Sequence, residues 1–190
     1  MCAYICPVGA VAFEEEENGE WYISETRFGP MIHARLHAGS ENSGKLVTLV
    51  RNEAKKVAGT RGIDLILIDG SPGIGCPVIA SITGTDLVLV VTEPTRSGVH
   101  DLERVIKLTR HFGIRAMVAV NKSDINDRIA SSIEEFARLE NIALAGRIRY
   151  DRAVTEAQME GKSIVEVSSG PAAEDIKTIW NTVCNHIEQE

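Results

Sequence analysis

The sequence lacks a long apolar run, a basic surplus, a cysteine framework and an internal repeat. Each absence removes a class of function. No apolar stretch reaches the ~20 residues of a transmembrane helix, so no membrane span is expected. Twenty lysines and arginines against 27 aspartates and glutamates give a formal charge of -7. That balance is unsuited to coating a polyphosphate chain, and no nucleic-acid partner is expected. The cysteines, Cys2, Cys6, Cys76 and Cys184, are too few and scattered for a disulfide scaffold, and only the first two are close together. The start of the chain is short and carries those two cysteines. It offers no secretory leader, which points to the cytoplasm. Aromatic residues are only 5%, yet 44% hydrophobic and 25% charged residues over 190 positions make a globular composition with room for a sizeable core.

What is present is a series of short apolar runs. Residues 64–69 (DLILID), 86–92 (DLVLVVT), 115–121 (RAMVAVN) and, more weakly, 142–148 (IALAGRI) read as strands buried on both faces. Amphipathic helical spacing lies between them, over residues 99–112 and 130–139, and a last helix over 172–186 follows Gly170-Pro171. Strand and helix in alternation predict an α/β fold, a mostly parallel sheet flanked by helices. The first forty residues differ. Asn18-Gly19 between residues 10–17 and 20–24 predicts a hairpin. Residues 31–37 then read as a strand returning to the main body, and 43–58 as a helix.

Two strand ends carry candidate chemistry. The run 65–69 delivers Asp69 to a Gly/Pro turn that includes Pro72 and Gly73. An acidic strand end of this kind places a carboxylate where open α/β sheets bind ligands, within reach of the water shell of Mg²⁺. The plainer reading is a turn aspartate or helix cap. The run ending at Val120 leads into Asn121-Lys122-Ser123-Asp124, an N-K-x-D sequence. Asn121 has both a donor and an acceptor for a purine edge. Asp124 reads either as a base contact or as a cap for the next helix. Asp151, in the loop after Ile148, is open to the same two readings. Gly39 to Lys45 spells G-x4-G-K, but Leu46 stands where a hydroxyl should ligate Mg²⁺. No phosphate-cradling loop is therefore expected within these residues.

At the start, Cys2 and Cys6 with Pro7 make C-x3-C-P, which resembles the second half of the bacterial ferredoxin run C-x2-C-x2-C-x3-C-P. The two earlier cysteines of that run would precede Met1. Cys2 and Cys6 are thus incomplete ligands of a [4Fe–4S] cluster, and by themselves two loose thiols.

Taken in order, Asp69-Gly-Ser-Pro-Gly-Ile-Gly-Cys-Pro77, Thr92-Glu-Pro-Thr95, Ser97-Gly-Val-His-Asp-Leu-Glu103 and Asn121-Lys-Ser-Asp124, with the ferredoxin-like start, resemble the MinD-superfamily ATPases that carry an inserted ferredoxin domain, relatives of ParA and Mrp. Ser71 and Arg96 stand where that family's pattern has proline. The resemblance implies a P-loop NTPase-type sheet, ATP and Mg²⁺ as cofactors, and a partial ferredoxin-like hairpin at the N-terminus. Residues 1–30 would be the remnant of the ferredoxin domain and 31–190 the C-terminal part of the nucleotide-binding domain. Asp69 would be the catalytic carboxylate, touching Mg²⁺ through water. Asn121 would meet adenine, with Asp124, Asp151, Pro72 and Gly73 around the nucleotide. The intact protein would be a homodimer working with a redox or iron–sulfur partner protein. Its phosphate loop would lie upstream of Met1, so this chain is expected to be inactive alone, with Leu65 to Ile68 left exposed. Two other readings stand beside it: a GTPase that reads guanine through N-K-x-D, and a non-catalytic scaffold that binds partners.

Overall fold

The computed structural model describes residues 2–8, 10, 17–40 and 44–188, and the chain divides into two compact units, Met1–Asp69 and Gly70–Glu190. The first unit contains a one-turn helix α1 (Cys2–Ile5), an antiparallel hairpin of β1 (Gly19–Thr26) and β2 (Gly29–Leu36), and helix α2 (Lys45–Arg61), which packs against β2.

The hairpin is not the one Asn18-Gly19 predicts. It turns at Arg27-Phe28, where the Thr26 hydroxyl donates to the Gly29 carbonyl and accepts the Phe28 N–H, a local bond pattern that competes well for a tight turn. Gly19 is instead the first residue of β1, opposite Leu36. A Cβ there would lie 2.6 Å from the Arg35 carbonyl oxygen, so close strand approach, and not turn geometry, requires glycine. Residues 11–16, most of the expected first strand, lie outside the described residues, as do Asn42 and Ser43, the expected caps of the following helix. The boundary expected at residue 30 falls inside β2. Residues 31–36 do form a strand, as part of β2, and among the described residues it pairs with β1 alone.

Residues 64–69 depart from the strand reading but agree with the expected exposure of Leu65 to Ile68. Their apolar run predicts a buried strand, yet no ladder forms, and Leu65 and Leu67 are 50% and 81% exposed. A strand is defined by a neighbour that accepts its backbone bonds, and no described residue takes that place. Composition can propose such a segment but cannot supply its partner.

The second unit follows the predicted alternation. Helix α3 (Cys76–Ile82) precedes β3 (Leu87–Thr92), α4 (Arg96–His111), β4 (Arg115–Val120), a 3₁₀ turn (Ser123–Ile125), α5 (Asp127–Leu139) and β5 (Ala143–Arg147). Short helices α6 (Ala153–Met159) and α7 (Ile164–Val167) lead to the long α8 (Pro171–Glu188). The sheet is parallel, in the order β3-β4-β5. Alternate residues of β4 point to opposite faces and meet different helices. Val118 and Val120 pack with Leu102 and Ile106 of α4 and Ala130 and Ile133 of α5. Met117 and Ala119 pack with Ala145 of β5 and Ile179 and Val183 of α8. The central strand is thus covered on both faces, which is why its residues read as an unbroken apolar run.

Candidate functional site

In a parallel sheet all strand C-termini share one edge, and the loops leaving them form the usual ligand crevice. Here the edge is built at Thr92, Val120 and Arg147. Pairing continues one residue beyond β4, where the Asn121 N–H donates to the Thr92 carbonyl at 2.7 Å. Lys122 then takes a left-handed conformation, φ 50°, at a cost of about 1–2 kcal/mol for a residue with a Cβ. That kink turns the chain out of the sheet and into the 3₁₀ turn.

Several bonds hold this turn. The Asn121 Oδ1 accepts the Lys122 N–H at 3.0 Å. The Lys122 ammonium reaches back 2.7 Å to Glu93, the residue after β3, and that carboxylate raises the lysine's pKa above its ordinary value. Ser123 is buried; both its N–H and its hydroxyl donate to the Ile148 carbonyl, at 2.9 and 3.2 Å. The Ile148 N–H in turn donates to the Val120 carbonyl at 2.8 Å. The Asp124 Oδ1 accepts the Tyr150 N–H at 2.8 Å. The loop after β4 and the loop after β5 are therefore zipped together.

The outer side of the second loop is pinned as well. The Arg149 guanidinium forks onto Asp175 of α8, with Nε and Nη2 at 2.8 and 2.7 Å, and its backbone N–H meets the same carboxylate. This arginine holds the Asp175 carboxyl below its ordinary pKa. The Asp151 Oδ1 accepts the Ala153 N–H at 2.9 Å, a capping bond at the start of α6. Asp124 does not cap α5; Asn126 does, accepting the Ile129 N–H. On the third side, α4 starts against the end of β3. Thr95 caps it, the Thr92 hydroxyl donates to the Gly98 carbonyl, and a Cβ on Gly98 would lie 2.3 Å from the Glu93 carbonyl oxygen.

The structure thus brings together Asn121, Asp124 and Asp151. Asp69 ends the first unit; it is exposed, and no described residue bonds its carboxylate. A carboxylate without a protein partner fits a water-mediated contact to Mg²⁺. Pro72 and Gly73 open the second unit in the turn before α3, with Gly73 at φ 90°, a conformation that favours glycine. Cys76 lies in α3 and Cys184 in α8, both in the second unit, while the Cys6 sulfur accepts the Ala10 N–H in the first. Among the described residues no three His, Cys, Asp or Glu side chains converge as a metal site. No described helix is long and apolar enough to cross a membrane.

Sequence reasoning missed Glu93, Ser123 and the Tyr150 N–H. Glu93 was within reach: the β3–β4 register pairs Thr92 with Val120, which sets Glu93 beside Asn121. Two hollows, of about 550 and 250 Å³, lie elsewhere, one along α2 and one between the β4–β5 surface near Ala143 and the C-terminal turns of α8. The loop-built edge, by contrast, concentrates donors and acceptors at the strand C-termini.

The solved structures most like this chain include MinD in the MinC:MinD cell division complex of Aquifex aeolicus, with a TM-score of 0.64 and 23% identity over 86% of this chain and 66% of that one. Another is the septum site-determining protein MinD of Pyrococcus horikoshii complexed with Mg-ADP, with a TM-score of 0.59 and 16% identity over 77% and 60%. The fold is MinD-like. Among curated relatives, the uncharacterized protein MJ0578 of Methanocaldococcus jannaschii is 38% identical over 114 residues, 60% of this chain and 39% of that protein. The uncharacterized ATP-binding protein MJ0823 of the same archaeon is 31% identical over 123 residues, 63% and 46% respectively. The chain spans about half the length of the curated relatives it matches, between 39% and 56%. No protein-family model matches it.

Proposed function

We propose that the second unit supplies the base-binding side of a MinD-type ATPase, with Asn121 meeting adenine; for the first unit, taken by itself, we propose Asp69 as the carboxylate that would contact Mg²⁺ through water. The observation that carries this reading is the zipped pair of loops at the strand C-termini. They present the Asn121 side chain with its Nδ2 hydrogens free of any described partner, beside a rigid backbone frame. Similarity to a MinD solved with Mg-ADP and to a protein called ATP-binding supports the choice of ligand. In this reading the chain's residues orient the base and hold the metal's water, and turnover rests on positioning and electrostatics, not on a covalent step. The sequence holds no G-x4-G-K-[ST] run, so base contacts carry the binding here and affinity is expected on the order of millimolar. The redox part of the reading rests on Cys2 and Cys6.

The test is a titration of the ¹⁵N-labelled chain with Mg·ATP. Amides of residues 121–124 and 148–151 are expected to shift, and Asn121→Ala to abolish the shifts while leaving the rest of the spectrum in place. Shifts confined to other regions, or an Asn121→Ala variant that binds as wild type, would overturn the assignment.

A further inference from the structure

The first unit, taken by itself, has an open strand edge. The His37 N–H donates to the Asn18 carbonyl at 2.9 Å. In an antiparallel ladder bonded and unbonded pairs alternate, so Glu20, Tyr22, Ser24 and Thr26 spend their backbone groups on β2. The N–H and C=O groups of Gly19, Trp21, Ile23 and Glu25 point to the opposite edge, and no described strand pairs with them. We propose that this edge of β1 is an interface between two copies of the chain, joined antiparallel about a two-fold axis at Tyr22.

Proteins commonly blunt a free edge with lysine, proline or a bulge. β1 reads GEWYISET and its eight-residue register is unbroken, so it has none of these. Trp21 and Ile23 share one face, 41% and 47% exposed, directly beside the unpaired backbone groups. A two-stranded hairpin is marginal by itself, and added strands stabilise it. A second copy fits because the edge is self-complementary. The alternation requires odd-numbered residues of one copy to face odd-numbered residues of the other, and three such registers overlap the strand centre. Centring on Trp21 sets Glu25 against the second copy's Glu17, a like-charge contact. Centring on Ile23 sets Trp21 against Glu25. Centring on Tyr22 sets Trp21 against Ile23 twice, an aromatic–β-branched pair, and brings Glu17 opposite Arg27 beyond the strand ends. In that register Glu25 faces only Gly19 across the seam, and its carboxylate is already paired with Arg61 of α2 at 2.5 Å. The register that matches the apolar side chains is thus the one that matches the charges.

The experiment uses the full chain without nucleotide, so it does not depend on the reading of the second unit. Sedimentation equilibrium is expected to show a monomer–dimer equilibrium. In a sample mixed from isotope-labelled and unlabelled chains, filtered nuclear Overhauser effects are expected between the Trp21 ring of one copy and the Ile23 methyls of the other. Ile23→Lys enters the interface twice and is expected to weaken association by about tenfold or more. The Tyr22 and Ser24 amides, which face β2, should keep their wild-type hydrogen exchange in that variant. A chain that stays monomeric overturns the proposal, whether the Trp21 and Ile23 amides exchange freely, leaving the edge empty, or slowly, with the chain's own residues on it. A dimer that lacks the filtered contact, or that is as tight in Ile23→Lys, lies on another surface and overturns it as well. Should Ile23→Lys lose protection at Tyr22, and with it the hairpin, the filtered contact in wild type decides alone.

Discussion

Arg147, the last residue of β5, grips Glu134 of α5 with two parallel bonds of 2.7 Å, from Nε to Oε1 and from Nη2 to Oε2. Its remaining arm reaches Asp127 at 2.6 Å, and Nη2 also meets the Ser131 hydroxyl at 3.0 Å. One side chain at the mouth of the sheet therefore ties together two turns of the helix that covers it. A planar guanidinium can do this and a lysine cannot. Glu134→Ala removes the fork and leaves Arg147 partly buried with only Asp127 and Ser131. The expected cost is about 1–2 kcal/mol, allowing for partial exposure. Urea unfolding of the variant measures it, and a loss below a few tenths would show the fork to be ornamental.

Acid should unfold the protein through two of these carboxylates. Arg147 holds Glu134, and Arg149 holds Asp175, below their ordinary pKa values. A depressed folded-state pKa means that the unfolded chain binds more protons, so stability rises with pH in that range. The contribution is complete above the unfolded-state pKa values, near 4, and is lost as pH falls through the folded ones. Circular dichroism across pH 2–6 should show a shallower pH dependence of stability in Asp175→Asn than in wild type. An unchanged slope would remove Asp175 from the account.

Two leucine-and-isoleucine truncations separate the buried sheet from the unpaired run. Ile106 is 2% exposed among Leu102, Val118, Val120 and Ile133, and Ile106→Ala is expected to cost about 2–5 kcal/mol. Leu67 is 81% exposed, and Leu67→Ala is expected to stay within about 0.5 kcal/mol. Equal costs in chemical denaturation would mean that residues 64–69 are buried as their composition suggests.

Gly98→Ala tests the seam between α4 and β3. The new methyl would meet the Glu93 carbonyl oxygen at 2.3 Å and the Thr92 hydroxyl at 2.9 Å. Backbone on one side leaves little to yield, so the start of α4 must move, at a cost of about 1–3 kcal/mol. The displacement should reach Lys122 through its ion pair with Glu93. Amide shifts at residues 121–123 in the variant would register it; a variant of wild-type stability with no shift there would show that the seam tolerates a side chain.

Much of the second unit was legible in advance because its signals are local. Apolar runs at 86–92, 115–121 and 142–148 became β3, β4 and β5, and the periodic stretches became α4, α5 and α8, with boundaries off by a few residues. The first unit was less so. Asn18-Gly19 carries a strong turn signal, but residues 11–16 on one side of it lie outside the described residues; the described hairpin is an eight-residue ladder that turns at Arg27-Phe28, where no such signal stands. At the candidate site, Asn121, Asp124 and Asp151 could be picked from their places after strands. The bonds that hold these loops could not: Asp124 meets the Tyr150 amide, Ser123 the Ile148 carbonyl and Lys122 the Glu93 carboxylate, pairs separated by up to 29 residues, the distance from Glu93 to Lys122.

By itself the sequence determined β3, β4 and β5 as parallel strands and α4, α5 and α8 as helices, since hydrophobic period and side-chain branching act over a few neighbouring residues. It also determined that no complete phosphate-cradling motif occurs within these residues. Only tertiary structure decided that the described hairpin turns at Arg27-Phe28, that Asp124 faces an amide, and that Glu93 meets Lys122. The reason is the same in all three cases. A backbone or carboxylate lone pair is satisfied by whichever partner the folded chain brings within 3 Å, and that partner is distant in sequence.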